Sequence, residues 1–287
     1  MNHTIALKKS YSHCRNVAKR EAGNFYYSFL LLPKEKRYAM CAIYAFMRHS
    51  DDLSDNAATI NKKTECLQNW RKALQNAYTG IYGNNLIFPA FHDTVKKYNI
   101  PIEYFEELIS GTEMDLSISS YQTFPELYKY CYRVAGVVGL VCLHLYGFND
   151  EKAKKLAEIC GIGFQLTNIL RDLEEDATMG RVYLPLDDFS RFNYNIEDLK
   201  NKIVNEKFIS FMDFQVNRAR NYYEQSKPLL KMVNPESRPA LSAIMGIYRG
   251  VLEKIASYRY MVFGKRVRLN TLEKLAIVAK AYLQPVA

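Results

Sequence analysis

Between Gly161 and Pro185 the chain reads GIGFQLTNILRDLEEDATMGRVYLP, and its first half carries two stripes at helical spacing. Ile162, Leu166, Ile169, Leu170 and Leu173 recur three and four apart, an apolar stripe suited to a core. Asn168, Asp172 and Asp176 run beside it, with Gln165 adjoining and Glu175 able to join. Residues four apart on a helix advance ~6 Å and rotate only ~40°. An amide and two carboxylates therefore line up as a ladder of oxygen ligands, a donor set that suits Mg²⁺ together with phosphate oxygens. A single DxxxD on a helix is more often a solvated acidic face. Here Gln165 and Asn168 sit between apolar residues, and Arg171, Arg181 and Tyr183 follow. Carboxylates and arginines on one strip are what a metal–diphosphate complex requires.

The remainder of the 287 residues is helical in pattern, without sustained alternation, solenoid-period repeats or a linker. Helices are expected over 5–22, 33–55, 60–79, 86–98, 101–117, 124–147, 203–227, 239–263 and 271–283. The 161–176 stretch makes a further helix, 187–200 is a polar connection or short helix, and Gly23–Tyr27 is a turn. The fold class expected is all-α, one domain over 1–287, a helical bundle of roughly ten helices with a central cavity. Small residues Ala135, Gly136 and Gly139 inside the 124–147 helix imply close approach of another helix or of a ligand chain.

A second acidic ladder ends the 33–55 helix: Asp51 and Asp55 are four apart, with Arg48 one turn before Asp51. Alone it reads as a solvated helix end, and His49 beside it as a surface histidine. Six cysteines without CxxC pairing, mostly in apolar helical runs, read as buried thiols of a reducing cytoplasm. No signal-peptide pattern opens the sequence, and the longest apolar run, 134–146, is too short to span a bilayer. A net charge of +9 permits an anionic partner, whether a phosphorylated metabolite, a membrane surface or nucleic acid. Scattered basic residues and the lack of a recognition motif argue against nucleic acid.

Taken together, YAFMRHSDDLSD, YCYRVAGVVG and QLTNILRDLEEDATMGRVYLP resemble the squalene/phytoene synthase family, from Phe25 to Arg266. The resemblance implies head-to-head joining of two prenyl diphosphates through a cyclopropylcarbinyl diphosphate, followed by rearrangement to a linear hydrocarbon. It implies Mg²⁺ held by Asp51, Asp55, Asn168, Asp172 and Asp176, and diphosphate bound by Arg48, Arg171, Arg181 and Arg266. Tyr44, Tyr130, Tyr183 and Tyr248 would line the reaction chamber with Gln165, and Val134, Val137, Val138 and Leu166 the prenyl tunnel. Where relatives carry a polar Ser-x-Ser pair before Phe25, this chain has Ala22-Gly23-Asn24, leaving Asn24 to bind phosphate.

Phe29, four after Phe25, would shorten one tunnel, which favours C15 farnesyl diphosphate and a presqualene diphosphate or squalene-type C30 product. The alternative is a phytoene synthase acting on two C20 geranylgeranyl diphosphates, and the resemblance also extends to non-catalytic assembly proteins that have lost the acidic motifs. NADPH is not indicated by any GxGxxG fingerprint, although all-α relatives bind it without one. An apolar product and a basic chain lead us to expect peripheral contact with the inner face of the membrane.

Overall fold

The computed structural model describes residues 3–55 and 59–283, with the side chains of residues 3–5 and 55 outside the described set. Sixteen α-helices are found among these residues. They are α1 (His3–Glu21), α2 (Asn24–Phe29), α3 (Lys34–Asp55), α4 (Ile60–Tyr78), α5 (Phe88–Lys97), α6 (Ile102–Ser117), α7 (Phe124–Cys131) and α8 (Val137–Tyr146). There follow α9 (Lys152–Arg171), α10 (Leu173–Thr178), α11 (Leu186–Arg191), α12 (Ile196–Lys200), α13 (Glu206–Ser226), α14 (Leu229–Met232), α15 (Arg238–Ser257) and α16 (Thr271–Leu283). The all-α class holds. The excess over ten comes from short helices that periodicity cannot resolve.

Two helices organise the rest. α9 packs against α8, α13 and α15, while α3 packs against α1, α4, α5 and α6. The back of α3 is fixed by an aromatic cluster in which Phe46 stacks on Phe91 (4.6 Å) and Trp70 (5.0 Å) and meets Phe105 edge-on (5.2 Å). Each such pair contributes ~0.5–1.5 kcal/mol beyond area burial. Trp70 donates its indole N–H to the buried Ser50 hydroxyl (2.8 Å), so the polar edge of the ring is satisfied in the core. His49 lies on Trp70 (4.3 Å), partly buried, and burial pushes its pKa down. The surface histidine expected there is instead part of this packing.

Three segments depart from the sequence reading. The 124–147 helix is interrupted by a π-helical turn at Tyr132–Gly136. Gly23–Tyr27 is not a turn: a sharp bend at Gly23 (φ 50°) starts helix α2 instead. The 161–176 helix breaks at Asp172 (φ −104°, ψ 15°), which ends α9 and begins α10. Thr123 caps the N-terminus of α7, its hydroxyl accepting from Glu126 N–H (3.4 Å), while the Glu126 carboxylate accepts from Gln122 N–H. The four fully buried cysteines, Cys14, Cys41, Cys131 and Cys160, are free thiols, as are Cys66 and Cys142.

The small residues of the 135–139 region answer the question posed by the sequence. A Cβ on Gly139 would overlap the carbonyl oxygen of Ala157, and one on Gly161 would overlap that of Ala135. α8 and α9 therefore touch backbone to backbone. The same stretch also faces a cavity.

Candidate active site

Space of ≈1220 Å³, counting its open mouth, lies between α2, α3, α8, α9 and α15. Along α3 its wall is Met40, Ile43, Tyr44, Met47, Arg48 and Asp51; along α9 it is Ala157, Cys160, Gly161, Phe164, Gln165 and Asn168. Each set follows the three-to-four spacing of a single helix face and advances ~16 Å along its axis. Met40, Leu143, Tyr146, Leu229 and Leu241 belong to the apolar lining, whereas the polar lining residues are Arg48, Asp51, Gln165, Asn168 and the hydroxyls of Tyr44, Tyr146 and Tyr248.

An aromatic belt encircles the space. Phe164 stacks on Tyr248 (4.4 Å, 14°), Tyr248 meets Phe25 (5.4 Å), and Phe29 lies edge-on to Tyr44 (6.3 Å). Burial raises the Tyr44 hydroxyl, and it pushes Tyr248 up to about 12, so both stay protonated. Two polar atoms at the rim are buried without partners: the Arg48 Nε donor and the Asn168 Oδ1 acceptor. Arg48 is otherwise paired with Asp52 (2.7 Å), and the Asn168 amide nitrogen donates to Gln165 Oε1 (3.3 Å).

Beyond Asn168 lies the second acidic ladder. Because α9 ends at Asp172, this carboxylate is turned between two guanidinium groups. Arg171 donates to it through Nε (2.8 Å) and an Nη (2.6 Å), and Arg266 does the same at 2.7 and 2.6 Å. Burial would raise the Asp172 pKa, but these four charge-assisted bonds hold it below the usual carboxylate range. Asp176 behaves oppositely: burial first, then repulsion from Asp172, lift it to about 7 despite the nearby Arg181.

The RVYLP segment is extended. Val182 N–H donates to Ser119 C=O (2.8 Å) and Leu186 N–H to Tyr121 C=O (3.0 Å). This pairing carries Arg181 and Tyr183 to Asp115 at the end of α6. Asp115 accepts from the hydroxyls of Tyr183 (2.8 Å) and Tyr130 (3.2 Å), whose rings stack at 5.0 Å, and Arg181 donates to its carbonyl (3.3 Å).

Of the residues singled out in the sequence, the fold brings Phe25, Phe29, Tyr44, Arg48, Asp51, Val134, Val138, Gln165, Asn168 and Tyr248 to one cavity. Arg171, Asp172, Asp176 and Arg266 gather just beyond Asn168. Tyr130 and Tyr183 are not in the cavity wall but in the stack on Asp115. Val137 and Leu166 are buried in the core rather than lining a tunnel, since each lies on the face of its helix turned from the space. Asn24 opens α2 half-exposed and is absent from the lining. The side chain of Asp55 lies outside the described residues. Sequence reasoning missed Phe164, Ala157 and Cys160, although they share the stripe of Gln165 and Asn168. It also missed Asp115, one of five acidic residues on α6, which nothing in the local sequence sets apart from Glu103, Glu106, Glu107 and Glu113.

Comparison with known proteins decides the family. Residues 18–273 match the squalene/phytoene synthase family. The chain belongs to it. Curated relatives include the 15-cis-phytoene synthase of Synechococcus elongatus, 35% identical over 97% of this chain and 94% of that protein. The phytoene synthase of Arthrospira platensis is 37% identical over 96% and 93%. Among solved structures, a dehydrosqualene synthase in complex with ligand superposes with a TM-score of 0.89 at 28% identity, covering 99% of both chains. The squalene synthase HpnC of Alicyclobacillus acidocaldarius superposes at 0.83 with 25% identity, covering 89% of this chain and 96% of that one.

Members of this family are prenyltransferases that depend on a divalent metal. The residues here fit such an ion. Asn168 Oδ1 is a buried oxygen with no hydrogen-bond partner, and Asp172 and Asp176 follow it at four-residue spacing in the sequence. All are hard oxygen donors. Among the described residues no three His, Cys, Asp or Glu side chains converge on one point, and Asp172 faces the two arginines.

Proposed function

We propose that the chain catalyses the head-to-head condensation of two C20 geranylgeranyl diphosphates to phytoene, in a Mg²⁺-dependent reaction carried by one domain over residues 1–287. The observation that carries the C20 reading is the 35–37% identity to phytoene synthases over nearly the full length of both partners. These relatives favour the phytoene alternative over the C15 preference drawn from Phe29.

The chemistry suits the cavity. Prenyl chains lie in the apolar space and diphosphate groups meet the polar rim. In the first step, carbon–carbon bond formation releases one diphosphate and one proton and leaves a cyclopropylcarbinyl diphosphate; in the second, loss of the remaining diphosphate and of a proton gives the hydrocarbon. Bound Mg²⁺ supplies neutralisation of the leaving diphosphate, with Asp51, Asp55, Asn168, Asp172 and Asp176 as its proposed ligands. Arg48, Arg171, Arg181 and Arg266 bind the outer phosphate oxygens. Arg171 and Arg266 exchange the Asp172 carboxylate for phosphate, one anion replacing another. Phe25, Tyr44, Phe164 and Tyr248 turn ring faces towards the cationic carbon chain and exclude water from it. Tyr130 and Tyr183 hold Arg181 through Asp115. The apolar product and the net charge of +9 support peripheral membrane contact; among the described residues no helix is long and apolar enough to cross a bilayer.

A second reading, two C15 farnesyl diphosphates giving presqualene diphosphate or a C30 product, is favoured by the superposition on dehydrosqualene synthase and by Phe29 in the cavity wall. Incubation with Mg²⁺ and each diphosphate, with and without NADPH, separates the two by product mass. We expect phytoene from the C20 substrate. Conversion of the C15 substrate alone would replace this reading with the second.

A further inference from the structure

α16 is apolar on two sides. One side carries Ile277, Val278 and Ala281 against the bundle, where α16 packs on α15 and α2 and Ile277 reaches Gly246 and Gly250. The opposite side carries Leu272, Leu275, Ala276, Ala279, Tyr282 and Leu283, all exposed. At 100° per residue these six fall within an arc of ~120° that contains no charged side chain. The large members are open to solvent: Leu272 77%, Leu275 48%, Tyr282 66% and Leu283 74%. A solvent-facing helix of an ordinary soluble domain shows the reverse, a polar outer face.

The uncompensated charges near this arc are of one sign. Lys280 borders it, the exposed Lys265 and Arg268 lie in the segment that leads into α16, and no carboxylate forms an ion pair with any of these three among the described residues. The acid of α16, Glu273, is held by Lys254 (2.8 Å). Lys274 points the other way, over the Tyr27 ring of α2 (5.3 Å), where burial and then the neighbouring Arg268 lower its pKa. An exposed apolar stripe flanked by unpaired cations is complementary to one kind of surface, the headgroup layer of an anionic bilayer.

We propose that α16 is the element that docks this enzyme on the membrane, with Leu272, Leu275, Tyr282 and Leu283 entering the acyl boundary and Lys265, Arg268 and Lys280 meeting anionic phospholipid headgroups. The proposal rests on the peripheral contact inferred above and assigns it a surface. That placement has a consequence for traffic. α16 lies directly against α2 and α15, which carry Phe25, Phe29, Ile244 and Tyr248 of the cavity wall. The docked face is thus one helix layer from the prenyl-binding space.

Co-sedimentation of the full chain with mixed phosphatidylglycerol–phosphatidylcholine vesicles tests it. The wild-type protein should bind these vesicles and should bind pure phosphatidylcholine weakly. A Leu272→Ser/Leu275→Ser/Tyr282→Ser variant should lose vesicle affinity by roughly tenfold or more, as expected when three apolar side chains no longer leave water. Its turnover of detergent-dispersed substrate should be unchanged. A Lys265→Glu/Arg268→Glu/Lys280→Glu variant should lose the preference for phosphatidylglycerol. As a check independent of folding losses, Leu272→Trp adds a second tryptophan to a chain whose single native one, Trp70, is buried, and its emission should shift to the blue on adding the mixed vesicles. Binding by the wild type that persists in both triple variants would move the docking surface elsewhere and leave peripheral contact intact. No binding by the wild type would overturn both. A wild-type dimer abolished by the apolar triple variant would make the stripe a subunit contact instead.

Discussion

Asp172 is the residue on which the two halves of the proposed chemistry meet. Its carboxylate receives four hydrogen bonds from Arg171 and Arg266 and sits one turn from Asn168 and from Asp176. Asp172→Asn keeps the shape and removes the charge, so the fold persists while the cation loses a ligand and the arginines lose their resting partner. Turnover should fall by at least about 10²-fold, the scale of losing one electrostatic contact in a dry site. Steady-state rates on the C20 diphosphate, alongside an unchanged circular dichroism spectrum, check this; near-wild-type turnover would remove Asp172 from the metal site. Phe29 carries a second prediction at this scale. It is 3% exposed and stands in the cavity wall between Phe25 and Tyr44. If its ring limits chain length, Phe29→Ala should raise the ratio of C20 to C15 turnover by several-fold, whereas a ring that only packs would cost stability, roughly 3–5 kcal/mol, without changing that ratio.

At the scale of elements, the long helices were legible because each repeats an apolar signal over several turns. The breaks were not. A π turn at Tyr132–Gly136 leaves no mark in the pattern, since every residue from Val134 to Leu143 is apolar or small whichever way it faces. The end of α9 at Asp172 is hidden for a similar reason: Leu173 continues the stripe while the backbone turns. Val137 and Leu166 were misplaced because hydrophobicity marks burial and does not distinguish a packed face from a cavity face. What does distinguish them is residue size, as Ala157, Cys160 and Gly161 leave space that Ile162, Leu166 and Ile169 would fill. The Tyr130–Tyr183–Asp115 stack joins three separated segments, so its composition gives no local sign. Small size also sets a prediction. Gly161→Ala places a methyl on the Ala135 carbonyl and must push the π turn that leads into α8 away from α9. Thermal unfolding should report a loss of ~1–3 kcal/mol, the cost of overpacking, although Ala is the better helix former by up to ~1 kcal/mol. A more stable variant would mean the two backbones are not in contact.

Across the whole molecule, the candidate site is held together by charges that satisfy one another before any substrate arrives. Arg171 and Arg266 occupy Asp172, Arg266 also approaches Glu175 (3.7 Å), and Arg48 holds Asp52. A cation arriving alone must take carboxylate oxygens away from guanidinium groups and leave those groups unpaired. A diphosphate arriving alone must take the guanidinium groups and leave the carboxylates unpaired beside its own negative charge. When both arrive, each released partner is claimed by the other ligand, and no charge is stranded. Binding of the two should therefore be strongly coupled, with each raising the affinity for the other by a factor equal in both directions. Arg266 lies in the segment between α15 and α16. Thermal shift measurements with Mg²⁺, with inorganic diphosphate and with both can read the coupling directly. Ligand at 100 times its dissociation constant stabilises the native state by ~2.7 kcal/mol. We expect little shift from either ligand alone and a shift from the pair that exceeds the sum of the two. Chelation with EDTA should return the protein to its ligand-free melting temperature and stop turnover without unfolding it. Strictly additive shifts would show that the arginines and the acidic ladders serve separate sites.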